Sequence, residues 1–274
     1  MFQPSLMSLV ALGAALVFMV GYPLGVAVVL RRRLTVGWRY FGYGALVFFV
    51  SQMVLRVPLV FAATPLIAPA VASSRVLLVS WGLLLALTAG LFECGGRYLG
   101  YRWLMGREEK TWEKAVMYGV GHGGLESMVL VPAMTILQLV GLLSLTSASL
   151  DAMTPAQRAA VLQQIALFTS GPFWLPLLSA WERLWTIAIQ VGMSVLVLQV
   201  FRRGSLVWLG LAIGMHTVVD FVAPTLIPLL GLPRLQTALL AEGAVTVFGL
   251  LSLWIVLALR PTRVRAKDVQ PVAA

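Results

Sequence analysis

The hydrophobic positions of this chain fall into seven long runs, each long enough to cross a lipid bilayer as a helix. A helix crosses the hydrocarbon core of a bilayer with about 20 apolar residues. None of the runs shows the alternation over about ten residues that is typical of outer-membrane barrels. The predicted spans are approximately Leu6–Leu30, Tyr40–Ala62, Val76–Leu99, Ala115–Leu145, Phe173–Val200, Ser205–Leu230 and Thr237–Leu259. The pattern therefore predicts an all-α polytopic transmembrane helical bundle.

Composition favours the same class. Of the 274 residues, 60% are hydrophobic and 11% are charged, and the mean hydropathy is +0.93. A soluble domain would carry about 25% charged residues. No Lys or Arg precedes Arg31, so the first run lacks the basic segment of a signal peptide, and we expect it to remain a span. We expect a single membrane domain at 1–260 and a basic tail at 261–274.

The distribution of basic residues predicts an orientation. The net charge is +10, and most Lys and Arg residues follow the first, third, fifth and seventh spans. These residues are Arg31, Arg32, Arg33, Arg39, Arg102, Arg107, Lys110, Lys114, Arg202, Arg203, Arg260, Arg263, Arg265 and Lys267. The opposite side has only Arg75, Arg158 and Arg234. By the positive-inside rule, connections rich in Lys and Arg stay in the cytoplasm. The distribution therefore predicts an outside N-terminus and a cytoplasmic C-terminus, and we expect the protein in the cell (inner) membrane. We expect contact with anionic membrane lipid and no nucleic-acid partner.

The longest connection on the predicted outer side runs from Thr146 to Gly171. Thr154, Pro155 and Gln157 have the spacing of a helix N-terminus with a capping box. Apolar positions follow at Val161, Leu162, Ile165, Ala166 and Leu167. We expect a short amphipathic helix on the outer interface, either as a plain connector or as a lid that gates substrate entry.

Ionisable side chains occur inside the apolar runs, where they are costly and usually mark function. They include both histidines of the protein and are Arg56, Glu93, Arg97, His122, Glu126, Glu182, Arg183, His216 and Asp220. Three pairs have a spacing of four residues, which places both side chains on one helix face. The pairs are Glu93–Arg97, His122–Glu126 and His216–Asp220. We count the depth of Glu93, His122 and His216 from the cytoplasmic ends of their predicted spans, at a rise of about 1.5 Å per residue. From these depths we expect the three faces to meet in one cavity in the cytoplasmic half of the membrane.

A carboxylate and an imidazole beside a water molecule can activate that water for hydrolysis. We expect Glu126 to act as the general base, with His122 as its orienting partner. His216 would donate to a developing oxyanion, and Asp220 would orient its imidazole. Ser127 lies in no nucleophile-elbow pattern. The chemistry that these residues favour is peptide-bond hydrolysis inside the membrane.

Other interpretations stay open at this point. His122, Glu126 and His216 could bind zinc, although the sequence has no His-Glu-x-x-His motif of zinc proteases. Intramembrane acids and histidines also serve proton-coupled or ion-coupled transporters, although the sequence shows no internal repeat. A third alternative is a binding module for lipidated or hydrophobic peptides. We expect no cofactor, with zinc as the alternative.

The remaining intramembrane charges favour structural roles. Glu182 and Arg183 are adjacent and point in different directions on a helix, so we expect each to pair elsewhere. Arg56 lies four residues after Gln52 and is expected to be a satisfied cation, with Glu242 as a candidate partner. Glu93 and Arg97 could likewise form an ion pair with a structural role.

The order of these motifs resembles the CAAX prenyl endopeptidase and PrsW groups of intramembrane proteases. It is most similar to their YhfC branch, through the Gly-His-Gly-Gly-x-Glu segment 121–126 and the Glu-Arg pair 182–183. The likeness covers nearly the whole chain and implies glutamic-type hydrolysis of a hydrophobic or membrane-anchored peptide. The positions that match are Glu93 and Arg97 in the first element, Tyr118 and His122 in the second, Glu126 in its PrsW-like variant, and His216 and Asp220 in the last.

This chain departs from the family pattern at one position. The relatives usually carry two consecutive glutamates, of which the first is the base, and Phe92 occupies that first position here. The departure leads us to favour Glu126 over Glu93 as the base. Tyr118, Glu182 and Arg183 would then support the site from its surroundings.

Overall fold

The computed structural model describes residues 5–261, and all regular structure within that range is helical. Seven helices are long and apolar enough to cross a membrane. They are α1 (Leu6–Leu34), α2 (Trp38–Ser73), α3 (Arg75–Trp103), α4 (Trp112–Leu143), α7 (Leu177–Arg203), α8 (Val207–Leu230) and α9 (Arg234–Ala258). Two short helices, α5 (Ser147–Asp151) and α6 (Pro155–Thr169), lie between α4 and α7. The prediction of an all-α bundle with seven spans is confirmed, whereas its orientation stays a prediction.

The bounds of several helices extend past the predicted apolar runs. Helix α2 continues to Ser73, since proline is tolerated in transmembrane helices and Pro65 and Pro69 lie within it. The predicted capping box of α6 is present, with Thr154 and Gln157 bonded reciprocally. Most of the predicted basic tail, residues 262–274, falls outside the described residues.

Three spans change locally from α-helical to π-helical hydrogen bonding. The π segments are Phe49–Arg56 in α2, Glu126–Leu130 in α4 and Val222–Leu226 in α8. Each contains or precedes a proline (Pro58, Pro132 and Pro224), whose missing N–H interrupts the α-helical ladder. Such wide turns are frequent at functional sites. Here one ends at the polar residue Arg56 and another begins at Glu126.

Helix α7 is the central element of the bundle. Of its most apolar 18-residue window 72% is buried, against at most 28% in the other six spans. It packs on α1, α3, α4, α8 and α9. The outer helices expose large apolar side chains such as Leu66, Leu137 and Trp254, which in water would form an unfavourable surface. This arrangement is that of a multi-pass membrane protein.

Glycines allow α4 to approach its neighbours at backbone distance. A Cβ atom on Gly121 would lie 2.0 Å from the carbonyl oxygen of Phe41 in α2. A Cβ on Gly44 would lie 1.9 Å from the carbonyl oxygen of Tyr118, and one on Gly119 would meet the backbone of α7 at 2.6 Å. Small residues at such crossings are typical of membrane helix packing. The result is that α4 is held tightly between α2 and α7.

We expect Gly121→Ala to destabilise the bundle by about 1–3 kcal/mol, because the added methyl group overpacks the α2–α4 contact. The matched control is Gly141→Ala on the same helix, where nothing lies within 4 Å of an added Cβ. That control should be neutral or stabilising by up to about 1 kcal/mol, as alanine favours helix over glycine. Thermal unfolding of both purified variants in detergent measures the difference. Equal melting temperatures would contradict the close approach of α2 and α4.

Candidate active site

The carboxylate of Glu93 on α3 is the centre of the polar site, and this residue is only 4% exposed. His122 Nε2 from α4 lies 3.1 Å from Oε2, and Gln190 Nε2 from α7 lies 3.2 Å from the same oxygen. His216 Nε2 from α8 lies 3.6 Å from Oε1, and Gln52 from α2 donates a hydrogen bond to Oε1. Polar groups of five helices thus meet at one carboxylate.

Arg97 balances the charge of Glu93 and has no exposed surface. Its Nη2 atom lies 3.5 Å from Glu93 Oε2, and its Nε donates to Ser194 Oγ at 3.2 Å. It also donates to the side-chain oxygen of Gln190. A buried charge is tolerated only when it is paired and hydrogen-bonded. The expected ion pair between Glu93 and Arg97 is therefore present and anchored on α7.

His122 lies behind Glu93 and is fully buried. Since a carboxylate only accepts hydrogen bonds, the proton on the ring must be carried by Nε2, the atom that faces Glu93. Among the described residues, the Nδ1 atom has no hydrogen-bond partner. The ring packs edge-on against Phe48 at 5.2 Å between centroids. This histidine orients Glu93 from the side away from the cavity.

Tyr118 lies one helical turn before His122 and is also fully buried. Its ring stacks on Tyr101 with centroids 4.8 Å apart. Its hydroxyl group packs against Gly100, where an added Cβ would lie 2.4 Å away. The structure therefore places this predicted site residue in the packed core, at a distance from the cavity wall.

A cavity of about 470 Å³ lies on the other side of Glu93. Its wall includes Glu93, Glu126, His216 and Asp220, the acids and the imidazole contributed by α3, α4 and α8. The charged residues Arg56, Glu182, Arg183 and Glu242 and the uncharged polar residues Thr186 and Gln190 also line the wall. The expected meeting of three helix faces at one cavity is thus found in the structure.

The helix bounds show how deep the cavity lies in the bundle. Glu93 is ten residues before Trp103, the last residue of α3, which is roughly 15 Å at 1.5 Å per residue. Glu182 and Glu242 on the wall lie in the first parts of α7 and α9. These parts are at the end of the bundle opposite to Trp103. Glu93, His122 and His216 thus lie in the halves of their helices nearer to the arginine-rich connections, as expected, and the side of the membrane that these connections face stays a prediction. The cavity spreads from the middle of the bundle away from the arginine-rich connections.

Glu126 forms an ion pair with Arg183 on α7, with 2.8 Å between Oε1 and Nη1. Its Oε2 atom accepts a hydrogen bond from Gln190 at 3.0 Å. The Nη2 atom of Arg183 donates to Glu182, its neighbour in the chain. The expectation that each residue pairs elsewhere is therefore right for Arg183, which binds Glu126 on α4, and wrong for Glu182, because the long arginine side chain presents separate nitrogens to two carboxylates.

His122 and Glu126 share a helix face in the sequence but form no hydrogen bond with each other in the described structure. His122 is bound to Glu93 on α3, whereas Glu126 is bound to Arg183 and Gln190 on α7. The π segment begins at Glu126, so the helix widens directly after this residue. Two carboxylates therefore approach the cavity, each with its own partners.

His216 and Asp220 form the expected pair, with 3.3 Å between Nε2 and Oδ2. The Nδ1 atom of His216 faces Cys94 Sγ at 3.9 Å. The Asp220 side chain is 38% exposed, so it reaches the cavity while it holds the imidazole. His216 is the histidine that lines the cavity wall.

Arg56 is a satisfied cation, but its partners differ from the candidate partner Glu242. It donates to the Leu85 carbonyl oxygen at 2.7 Å, to Gln52 Oε1 at 3.2 Å and to Thr88 Oγ1 at 3.3 Å. Helix α3 runs beside the π segment of α2 that carries Arg56, so these acceptors are the nearest. Gln52 in turn donates to Glu93 and links Arg56 to the centre of the site.

Gln190 and Ser194 are site residues that the sequence analysis missed. Both are buried on α7 and bind Arg97 or the carboxylates. A signal was present, because Arg183, Gln190 and Ser194 follow one another at spacings of seven and four. These spacings lie on one helix face. Uncharged polar side chains inside a span therefore mark this site as the charged ones do.

Fold and site together define a multi-pass membrane protein with acids and imidazoles gathered at an internal cavity. Residues 16–245 match the family described as YhfC intramembrane metalloprotease, and the chain belongs to this family. It is 29% identical over 220 residues to the uncharacterized membrane protein YhfC of Bacillus subtilis (strain 168). That alignment covers 78% of this chain and 82% of the relative. No solved structure matches the chain.

The family description supports intramembrane proteolysis in general and raises the question of a metal. In the part of the chain that the structure describes, no three His, Cys, Asp or Glu side chains form a group that could hold a metal ion. The Glu93 oxygens accept N–H groups, and the Arg97 cation lies 3.5 Å away, where it would repel a second cation. Metal-binding histidines usually donate their second nitrogen to an acceptor, which His122 Nδ1 lacks. The alternative zinc site at His122, Glu126 and His216 does not fit this donor arrangement.

We expect Arg183→Met to destabilise the protein by about 3 kcal/mol, because it leaves Glu126 and Glu182 without their cation in a low-dielectric interior. The double variant Arg183→Met/Glu126→Gln should recover part of that loss, since the unpaired charge is removed. As a control, Arg158→Met breaks an exposed pair with Asp151 and should change stability by less than about 1 kcal/mol. Unfolding of the purified proteins in detergent measures the stability of all three variants. A double variant less stable than the single one would contradict the ion pair.

Proposed function

We propose that this protein is an intramembrane endopeptidase of the cell (inner) membrane that hydrolyses peptide bonds without a metal ion. Its substrate would be a hydrophobic or membrane-anchored peptide segment. The family description supports proteolysis in general. The observation that supports a metal-free mechanism is the composition of the cavity wall. Glu126 and His216 line it next to Glu93, whose oxygens already accept N–H groups.

Glu126 is the general base of this proposal. A carboxylate has about four acceptor positions, and Glu126 uses one for Arg183 and one for Gln190. Its side chain is 18% exposed and lines the cavity, so a water molecule there can donate to a free position. The contact with Arg183 fixes the direction of the carboxylate.

Glu93 has a positioning role in the same proposal. Five N–H-bearing side chains lie within 3.6 Å of its two oxygens, which leaves little capacity to accept a water proton. These contacts hold the imidazoles of His122 and His216 in fixed orientations. This division of roles agrees with the substitution of the family's first glutamate by Phe92.

The reaction uses one water molecule and leaves every proton accounted for. Water adds to the scissile carbonyl carbon while one of its protons passes to Glu126. As negative charge develops on the carbonyl oxygen, His216 Nε2–H exchanges its 3.3 Å contact with Asp220 for a hydrogen bond to that oxygen. Glu126 then gives the proton to the departing amide nitrogen. The products are a carboxylic acid and an amine.

We expect Glu126→Gln to lower cleavage by at least about 100-fold, the size of a typical general-base contribution. The measurement is a mass-spectrometric comparison of new peptide N-termini in membranes of cells that express the wild-type protein or the variant at equal levels. Glu109→Gln, in an exposed connection, is the matched control and should keep the wild-type pattern. Wild-type termini that persist in Glu126→Gln would exclude Glu126 as the base.

A chelator arm in the same experiment separates the two mechanisms within the family description. Wild-type membranes treated with a zinc chelator should produce the same new termini as untreated membranes. Termini that vanish with the chelator and return with added zinc would overturn the metal-free mechanism. They would leave intramembrane proteolysis itself in place.

A further inference from the structure

We propose that Gln190 is a positioning residue that fixes both carboxylates of the site through one side-chain amide. This inference rests on the proposed function and adds a residue to it. Gln190 lies near the middle of α7, the most buried span, and is 4% exposed. It carries no charge, and its spacing from Arg183 and Ser194 is the sequence signal that points to it.

The contacts of the amide group are divided between its two ends. Nε2 lies 3.2 Å from Glu93 Oε2 and 3.0 Å from Glu126 Oε2. The side-chain oxygen accepts a hydrogen bond from Arg97. An amide nitrogen carries two hydrogens, so each carboxylate receives one. The donor capacity of Gln190 is therefore fully used.

The chemistry of the neighbours fixes the orientation of this amide. A guanidinium group only donates and a carboxylate only accepts, so the oxygen must face Arg97 and the nitrogen must face the acids. A reversed amide would place its oxygen against Glu93 and Glu126 and its nitrogen against a cation. Only one of the two orientations satisfies all three charged partners.

The stem of Gln190 is held as firmly as its amide. A Cβ atom on Gly123 of α4 would lie 2.9 Å from both Cβ and Cγ of Gln190. The absence of a side chain at Gly123, within the Gly-His-Gly-Gly segment, is what allows α7 to bring Gln190 against α4. The backbone oxygen of Gln190 accepts a hydrogen bond from Ser194 at 2.9 Å.

These contacts give Gln190 a distinct task in the proposed reaction. The two carboxylates carry like charge, and each lies within about 3.2 Å of the same nitrogen. The amide bridges them at a fixed separation and directs one N–H at each. Without it, Glu126 would lose one of its two anchors and its direction toward the bound water. We therefore expect a loss in the rate of the chemical step, with substrate binding preserved.

The test uses full-length protein in proteoliposomes and a fluorogenic peptide whose cleavage site is taken from the termini found in cells. Gln190→Met keeps the volume and removes all three hydrogen bonds. Gln190→Glu keeps an acceptor for Arg97 and removes the donors. Both variants should lower kcat at least tenfold and change KM less than threefold.

Gln199→Met is the matched control on the same helix. Gln199 is also buried, and its amide bonds to the Val195 carbonyl oxygen and to Arg203, outside the site. It should retain the wild-type kcat and KM. Gel filtration and melting temperature identify the folded variants. If Gln190→Met does not fold, the kcat and KM of Gln190→Glu and Gln190→Asn are compared with the wild-type values in its place.

The outcomes separate this inference from the proposed function. A folded Gln190 variant with wild-type kcat overturns the positioning role while the protease proposal stands. A rise in KM at constant kcat also overturns it, since that result assigns Gln190 to substrate binding. A wild-type protein that cleaves nothing in cells or in liposomes overturns the proposed function, and the inference falls with it.

Discussion

The structure depends on one buried negative charge, the carboxylate of Glu93. An ionised group in a low-dielectric interior is tolerated only with partners that neutralise it and occupy its lone pairs. Arg97 supplies the neutralising charge, and Gln52, His122 and Gln190 supply hydrogen bonds from three other helices. Because these partners come from separate spans, satisfying Glu93 also fixes how the spans meet.

Tight helix packing is the condition for that convergence. The glycines of α4 let its backbone touch α2 and α7, which brings His122 and Gln190 within reach of α3. The second carboxylate, that of Glu126 at the start of the π segment, lies 2.8 Å from Arg183 on α7. Packing and local helix geometry therefore produce two carboxylates in different states. One is fully paired, and the other is directed into a cavity.

Much of the fold and part of the site could be predicted from sequence. Apolar run length gave the seven spans, and the spacing of four gave the pairs Glu93–Arg97 and His216–Asp220, because both signals are local along one helix. The bridge from Arg183 to Glu126 and the amide of Gln190 depend on how α4 and α7 are rotated against each other, which no single span encodes. The extension of the cavity toward Glu182 and Glu242 depends on the same packing and was not predicted. The wider likeness to prenyl endopeptidases and PrsW, like the orientation of the termini, stays a prediction.

The central claim is that Glu93 holds both imidazoles directly, with hydrogen bonds where a metalloprotease would have a metal ion. An experimental structure at side-chain resolution, with anomalous diffraction data collected at the zinc absorption edge, tests this claim most directly. We expect His122 Nε2 and Gln190 Nε2 within hydrogen-bond distance of the Glu93 carboxylate, and no anomalous peak near His122 or His216. A peak coordinated by those two histidines and a glutamate would contradict it.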